Sequence, residues 1–170
     1  MQAFNFDQIT PTVLHLECIK QSILKTFSSM IRETLTFLGT QANGQVSKTE
    51  GIVGIISIVG DIAWSLMLGL PKPTAITLVP KFAGFEIQYD SDDMGDIVGE
   101  LANIVAGDLL ARLDVIGVNA SMSLPTVARG SDLELLLPDK LPSMRMGFST
   151  AEGNFWLKIA IGQPYNHRHI

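Results

Sequence analysis

The sequence has little cysteine, little charge and no long apolar run, and each shortage excludes a class of protein. Cys18 is the only cysteine among 170 residues, so an internal disulfide cannot form and a disulfide-stapled secreted domain is excluded. The net charge is −5 and the basic residues are scattered, which argues against nucleic acid as a partner. The most apolar run, 51–60, stops at Asp61, far short of the ~20 residues that cross a bilayer. We therefore expect no nucleic-acid or membrane partner.

Motifs for metal, nucleotide or thiol chemistry are missing as well. No His and Cys cluster stands at metal-ligand spacing, so we expect no metal site. The glycines lack the order G-x-x-x-x-G-K-[ST] of a phosphate-binding loop. Cys18 lies among apolar residues, and a small buried side chain is its simplest interpretation. No basic stretch followed by an apolar one opens the chain, which together with the lone cysteine predicts a cytoplasmic protein.

Apolar residues are abundant instead, at 46% of the chain, while only 17% are charged. A chain of this length forms one domain with a substantial core, which we place at about residues 10–163, with 164–170 as a loose tail. Burial in a central sheet or at a homodimer interface explains the apolar excess. The run 51–59 is a candidate edge-strand interface for a homodimer.

The hydrophobic periodicity predicts a helix, then strands, then helices, then strands. The first helix opens at Thr10-Pro11 and runs to about Leu38, and 40–48 is a loop. Gly60-Asp61 joins two β-rich runs in a hairpin. The remaining predicted elements are the hairpin strands 50–59 and 62–69, a short helix at 71–83 with Pro80 as an alternative end, a long helix at 92–116, strands at 119–128, 142–150 and 154–162, and an irregular segment at 135–142. This order predicts an α/β sandwich with two long helices on one sheet.

The long helix displays a carboxylate and a carboxamide together. Glu100 and Asn103 are three residues apart, so they share one helical face, which extends to Asp96 and Gly107. The opposite stripe is apolar and should face a core; it comprises Ile97, Val98, Leu101, Ile104, Val105 and Leu109. On its own the pair is a weak signal, because solvated Glu and Asn are common on helices.

Several residues on this helix are unusual choices for a helix interior. Asn103 competes for backbone hydrogen bonds, and Gly99 and Gly107 each cost about 1 kcal/mol relative to Ala. Either this side is kept open for a partner, or it packs closely on another element of the protein. The acidic residues 90, 92, 93 and 96 suit the positive end of the helix dipole, where Ser91 or Asp92 is a natural N-cap. Steering of a partner's basic patch is the alternative interpretation of this cluster.

The spacing of these residues resembles the CheC/CheX/FliY phosphatase family of bacterial chemotaxis, most closely its CheX members. The family pattern has an acidic residue or Ser, three residues, Glu, two residues, Asn, and a Pro about twenty-two residues later. Here it reads Asp96, Glu100, Asn103 and Pro125. The similarity is specific over 92–130 and extends at the level of the fold from about 12 to 162.

The resemblance implies a CheC-like sandwich, with two long helices packed on a mostly antiparallel β-sheet in a pseudo-twofold arrangement. It also implies a phosphatase for the phospho-aspartate of a CheY-like response regulator. Asn103 would position the attacking water, and Glu100 would pair with the regulator's active-site Lys. The resemblance also implies that the surface which docks the regulator includes Asp96, Gly99, Gly107 and Pro125. The regulator would supply its own Mg²⁺, and the protein would need no cofactor itself.

Two further expectations concern the number of sites and the competing function. The first helix carries Glu17 and Glu33 without an Asn three residues later, so we predict one active site per chain. The resemblance and the apolar composition together predict a homodimer. The alternative function is a non-catalytic adaptor that binds a response regulator, or a flagellar-switch-like interaction module. The presence of both Glu100 and Asn103 favours the enzyme, because a module that only binds has no need of that Asn.

Overall fold

The fold is built on one sheet of seven strands in which every pairing is antiparallel. The computed structural model describes residues 11–42, 48–136 and 141–162. The strands are β1 Thr36–Ala42, β2 Thr49–Gly60, β3 Ala63–Pro71, β4 Ala120–Met122, β5 Thr126–Leu133, β6 Ser143–Thr150 and β7 Gly153–Ile161. The helices are α1 Val13–Thr26, extended by a π-helical turn Phe27–Ile31, α2 Lys72–Ala83 and α3 Asp92–Val115.

The strand order contains an internal twofold. Along the sheet the strands follow the order β1-β6-β7-β3-β2, and β4 and β5 both pair with the outer side of β2. The first half of the chain, α1, β1, β2 and β3, corresponds to the second half, α3, β5, β6 and β7, element by element. When each strand is replaced by its counterpart, the strand order is the same as the original order read from the opposite edge of the sheet. The two matched helices, α1 and α3, pack against each other. The predicted sandwich, with helices packed on an antiparallel sheet in a pseudo-twofold arrangement, is confirmed.

The main hydrophobic core lies between these helices and one face of the sheet. It contains fully buried side chains from α1, α3 and the central strands, among them Ile19, Ile23, Ile56, Leu66, Leu101 and Val105. A smaller cluster of Val53, Met67, Trp156 and Ala160 covers part of the opposite face. Because one face of α3 is buried from Met94 to Leu113, the outward face of this helix is held in a fixed orientation.

The ends of α3 follow the local chemistry of the sequence. Ser91 is the N-cap, and its hydroxyl accepts a hydrogen bond from the Met94 N–H at 3.3 Å. Asp92 and Asp93 stand in the first turn, where carboxylates interact favourably with the helix dipole. After the last turn, Gly117 has a left-handed φ of 82°, which glycine adopts without steric cost. The predicted long helix and its N-cap are confirmed.

The prediction for the first helix is wrong beyond Ile31. There the π-helical turn ends and Arg32 has a left-handed φ of 59°. The sequence predicts that residues 36–42 end the helix and begin a loop. They form β1 instead, which pairs with β6. Leu35 fits a helical or a strand period equally, and Thr36 and Phe37 favour a strand. The N-cap is Thr12, whose hydroxyl accepts from the His15 N–H at 3.3 Å; the expected Thr10 lies outside the described residues.

Two smaller predictions also need correction. The run 51–59 is not an edge strand, because β2 pairs with β3 on one side and with β4 and β5 on the other. Of its apolar residues, Ile52, Val53, Ile56 and Ile58 are buried inside the domain, and only Val59 at the end of the run is exposed. The homodimer therefore stays a prediction without that interface. The expected strand 119–128 is divided into β4 and β5 by residues 123–125. The short helix predicted at 71–83 is confirmed, because α2 continues through Pro80 to Ala83 and ends at Gly84. The tail from 164 lies outside the described residues.

Gly95 tests how α3 is stabilised. A Cβ added there would meet no atom within 4 Å, and the helix interior disfavours glycine. We expect Gly95→Ala to raise the free energy of unfolding by about 0.5–1 kcal/mol. Gly117→Ala is the control, because its Cβ is equally unobstructed but its φ is +82°, and it should lower stability by roughly 1 kcal/mol. Urea unfolding measures both; a Gly95→Ala variant less stable than the wild type contradicts this account of α3.

Candidate active site

The solvent-facing stripe of α3 carries the residues that the sequence pattern selected. Asp96 and Glu100 are exposed, and Asn103 and Gly107 are half-buried. The apolar residues of the opposite stripe are buried at Val98, Leu101, Val105 and Leu109, with Ile97 and Ile104 half-buried. The structure therefore places the carboxylate of Glu100 and the amide of Asn103 on the face of α3 that points away from the core.

Glu100 and Asn103 make no polar side-chain contact in the part of the chain that the structure describes. Within residues 11–42, 48–136 and 141–162, neither side chain has a hydrogen bond or an ion pair. Asp108 on the same helix differs, because Lys25 Nζ lies 2.8 Å from its Oδ1 and Arg112 Nε donates to its Oδ2. Burial raises the pKa of the Asp108 carboxyl, but these two cations outweigh burial and lower it overall. Helix α3 thus holds one carboxylate for structure and leaves a Glu–Asn pair available to a partner.

Residues 122–125, called the flanking segment below, run beside α3 and occupy the space above two glycines. A Cβ on Gly99 would lie 3.5 Å from Pro125 Cγ and 3.3 Å from a Val127 methyl. A Cβ on Gly107 would lie 3.9 Å from Met122 Cε. Gly99 is therefore buried under the chain's own residues, whereas Gly107 is half-buried and meets only the end of the Met122 side chain, so the expectation that Gly107 leaves room for a partner stays a prediction. For Gly99 the alternative of close internal packing is the better account, although the neighbours are Pro125 and a residue of β5 and not another helix.

A groove of about 680 Å³ lies between the start of α3 and β5. It is lined by Ile52, Ser91, Asp92, Gly95, Asp96, Pro125, Val127 and Arg129. Asp96 and Pro125, the first and last members of the predicted pattern, both line it. The groove adjoins the Glu–Asn pair, since Asp96 stands one helical turn before Glu100.

Arg129 is a structural residue of the site that the sequence pattern does not predict. Its guanidinium donates to the carbonyls of Tyr89 and Ser91 at 2.8 Å and of Asp90 at 3.0 Å. These bonds join β5 to the loop that leads into α3. They fix the flanking segment and the helix relative to each other. The sequence gives no local signal for this role, because Arg129 stands 38 to 40 residues after the loop that it binds.

The glutamates expected on the first helix are not comparable with Glu100. Glu17 pairs with Lys20 at 2.6 Å and accepts from Gln21 at 2.8 Å. Glu33 lies beyond α1 and pairs with Lys81 at 2.6 Å. Among the described residues, no group of three or more His, Cys, Asp or Glu is placed to hold a metal ion. No helix in the described ranges is both long and apolar enough to cross a bilayer.

The twofold sheet, with Glu100 and Asn103 on the outward face of α3 and Pro125 beside this helix, has the features expected of a CheC-like domain. Comparison with known proteins narrows this class. The family model described as Chemotaxis phosphatase CheX matches residues 52–149, which is more than half of the chain. The chain belongs to the CheX chemotaxis phosphatase family.

Individual relatives agree with this assignment. The CheY-P phosphatase CheX of Thermotoga maritima is 32% identical over 87 residues, which cover 51% of this chain and 56% of that protein. The match therefore spans little more than half the length of that relative. A CheC-like superfamily protein from Shewanella sp. PV-4 has a TM-score of 0.81 at 21% identity, covering 89% of this chain and 99% of that one. A chain of the CheX-CheY-BeF3-Mg²⁺ complex from Borrelia burgdorferi has a TM-score of 0.67 at 18% identity, covering 88% and 98%. At these identities the two structures show the fold.

Proposed function

We propose that this chain is a phosphatase that hydrolyses the phospho-aspartate of a CheY-like response regulator. The observation that carries the proposal is the free Glu100 and Asn103 pair on the outward face of α3, with Pro125 beside it. Family membership supports it, as does the name of the T. maritima relative, CheY-P phosphatase. The B. burgdorferi structure adds that a protein of this fold forms a complex with CheY.

The chemistry of Asn103 suits a hydrolysis in which the protein forms no covalent intermediate. An amide is a poor nucleophile, but its oxygen and nitrogen can hold one water by two hydrogen bonds and aim it at phosphorus. Phosphoryl transfer needs little more than this positioning and charge neutralisation. The water oxygen bonds to phosphorus while the bond to the aspartyl oxygen breaks. The products are inorganic phosphate, which takes up the proton released by the water, and the free carboxylate of the regulator.

Glu100 supplies the docking contact. Its carboxylate pairs with the active-site Lys of the receiver domain in a charge-assisted hydrogen bond, which sets the register in which Asn103 enters. Asp96 extends this acidic face by one turn, and Pro125 limits it on the side of the groove. The Mg²⁺ that offsets phosphoryl charge comes with the receiver, so this chain contributes no ligand to it.

Reversing the charge of Glu100 tests the docking contact. Glu100→Lys places two cations opposite each other, and we expect both the affinity for a BeF3-activated receiver and the rate of phosphate release to fall at least roughly 30-fold. Asp114→Lys is the matched control, because Asp114 is also exposed on α3 but lies about 21 Å further along the helix. It should leave both quantities unchanged.

The outcomes of this experiment separate the two candidate functions. A Glu100→Lys variant with unchanged binding and rate removes Glu100 from the site. Specific binding by the wild type without any phosphate release supports the non-catalytic adaptor or flagellar-switch-like module instead.

A further inference from the structure

We propose that Leu124 is an apolar anchor for the receiver domain, inserting into an apolar depression next to its phosphorylation site. This inference rests on the proposed function. Leu124 is 87% exposed, in contrast to the half-buried Pro125 that follows it. Isolated exposed leucines are ordinary on protein surfaces, so the proposal depends on where this one lies and how it is held.

The flanking segment places Leu124 beside Asn103. Pro125 packs over Gly99, and Met122 lies over Gly107. These glycines are two helical turns apart, about 12 Å, and Asn103 stands midway between them on the same side of α3. The chain between Met122 and Pro125, which includes Leu124, therefore runs along the side of α3 that carries Asn103. A receiver that admits the Asn103 amide to its phosphorylation site must also contact Leu124.

The segment is held in place before any partner arrives. The Ser123 N–H donates to the Ser57 carbonyl at 2.9 Å, and the Ser57 N–H donates to the Ser123 hydroxyl at 3.0 Å. That hydroxyl donates in turn to the Leu124 carbonyl at 2.8 Å. With Pro125 fixed against Gly99, little backbone freedom is left to lose on binding. When a side chain on such a preorganised segment is buried by a partner, less of the free energy gained is offset by the entropy cost of ordering the backbone.

The surroundings of Leu124 point to an apolar contact on the partner. The exposed neighbours Ser121, Ser123 and Thr126 are small and polar, and Glu100 and Asp96 are acidic. Within residues 121–126, Leu124 is the exposed side chain that can gain substantial free energy by leaving water. The partner surface that it fits is a shallow apolar patch within a few ångströms of a phosphorylated aspartate and its Lys.

Variants of Leu124 test the anchor separately from the chemistry. We expect Leu124→Ala to raise KM for a phosphorylated receiver, and Kd for the BeF3-activated one, about 10-fold, and Leu124→Asp about 100-fold. At saturating receiver, kcat should stay at the wild-type value, because Leu124 does not touch the reacting atoms. Val115→Asp is the matched control, since Val115 is 85% exposed at the far end of α3 and should change neither constant. Thermal midpoints of all three variants should stay within about 2 °C of the wild type.

Failure of the anchor and failure of the proposed function give different results. Wild-type phosphate release with unchanged KM and Kd in Leu124→Asp overturns the anchor and leaves the phosphatase intact. If the wild type releases no phosphate, the phosphatase fails; a raised Kd for Leu124→Asp then still supports the anchor. A loss of kcat with unchanged Kd also overturns it, because the side chain would act on catalysis and not on docking.

Discussion

Asn103→Ala should abolish most of the acceleration of receiver dephosphorylation while leaving binding almost intact. The amide that holds and aims the water is removed, and loss of such positioning costs on the order of 100-fold in kcat. The Kd for a BeF3-activated receiver should stay within about threefold, because Glu100 and the docking surface are unchanged. The side chain has no hydrogen-bond or ion-pair partner within the described residues, so the fold should tolerate the change.

Two further variants make this experiment specific. Asn154→Ala removes an exposed amide from the start of β7, away from α3, and should behave as the wild type. Asn103→Gln keeps the amide but extends it by one methylene, and should restore only part of the rate if the position of the water matters. An Asn103→Ala enzyme with wild-type kcat contradicts the mechanism. Loss of affinity in proportion to the rate would make Asn103 a docking residue.

Gly54→Ala should lower stability by about 1–3 kcal/mol, the usual cost of overpacking a close contact. Gly54 is where β2 approaches α3 most tightly: an added Cβ would lie 2.8 Å from Ala102 Cβ and 3.3 Å from the Val98 carbonyl oxygen. The obstacle includes helix backbone, so α3 itself must move. Since α3 carries the site and packs against Pro125, the rate of phosphate release should fall together with the unfolding midpoint in urea.

A double variant and a matched glycine test the cause of this loss. Ala102→Gly removes the nearest methyl, so Gly54→Ala with Ala102→Gly should be less destabilised than the sum of the single changes. Gly147→Ala is the control inside another strand, where the added Cβ would meet only the Leu38 side chain, at 3.4 Å. It should be neutral or slightly stabilising. A Gly54→Ala protein as stable as the wild type contradicts the tight contact between β2 and α3.

The parts of the fold that the sequence predicts well are those decided by neighbours along the chain. The hairpin around Gly60 and Asp61 and the capped helix α3 depend on turn chemistry, caps and helical period. The strand β1 and the position of β2 in the sheet depend instead on pairing between strands that are distant in the chain. The apolar period through Leu35 suits a helix as well as a strand, and pairing with β6 decides between them. The apolar run in β2 indicates burial, but only the topology shows that β4 and β5 cover it.

The candidate site divides in the same way. Helical geometry alone places Glu100 and Asn103 on one face, and the family pattern adds Pro125. The surroundings of Gly99, Leu124 and Arg129 depend on a contact between segments that are distant in the chain. Residues 122–129 fold back along α3 and the loop before it. No local pattern shows that contact. The sequence therefore shows that glycine is unusual inside this helix, but only the structure shows which residues pack against Gly99.

Phosphate release from a phosphorylated CheY-like receiver domain, with and without this protein, tests the central claim most directly. The receiver alone sets the rate of self-hydrolysis, and a BeF3-activated sample of the same receiver reports binding in parallel. We predict that the wild-type protein increases the rate of release in proportion to its concentration and that Asn103→Ala does not. Tight binding to the activated receiver with no increase in release would contradict the phosphatase and assign the chain to the adaptors of its family.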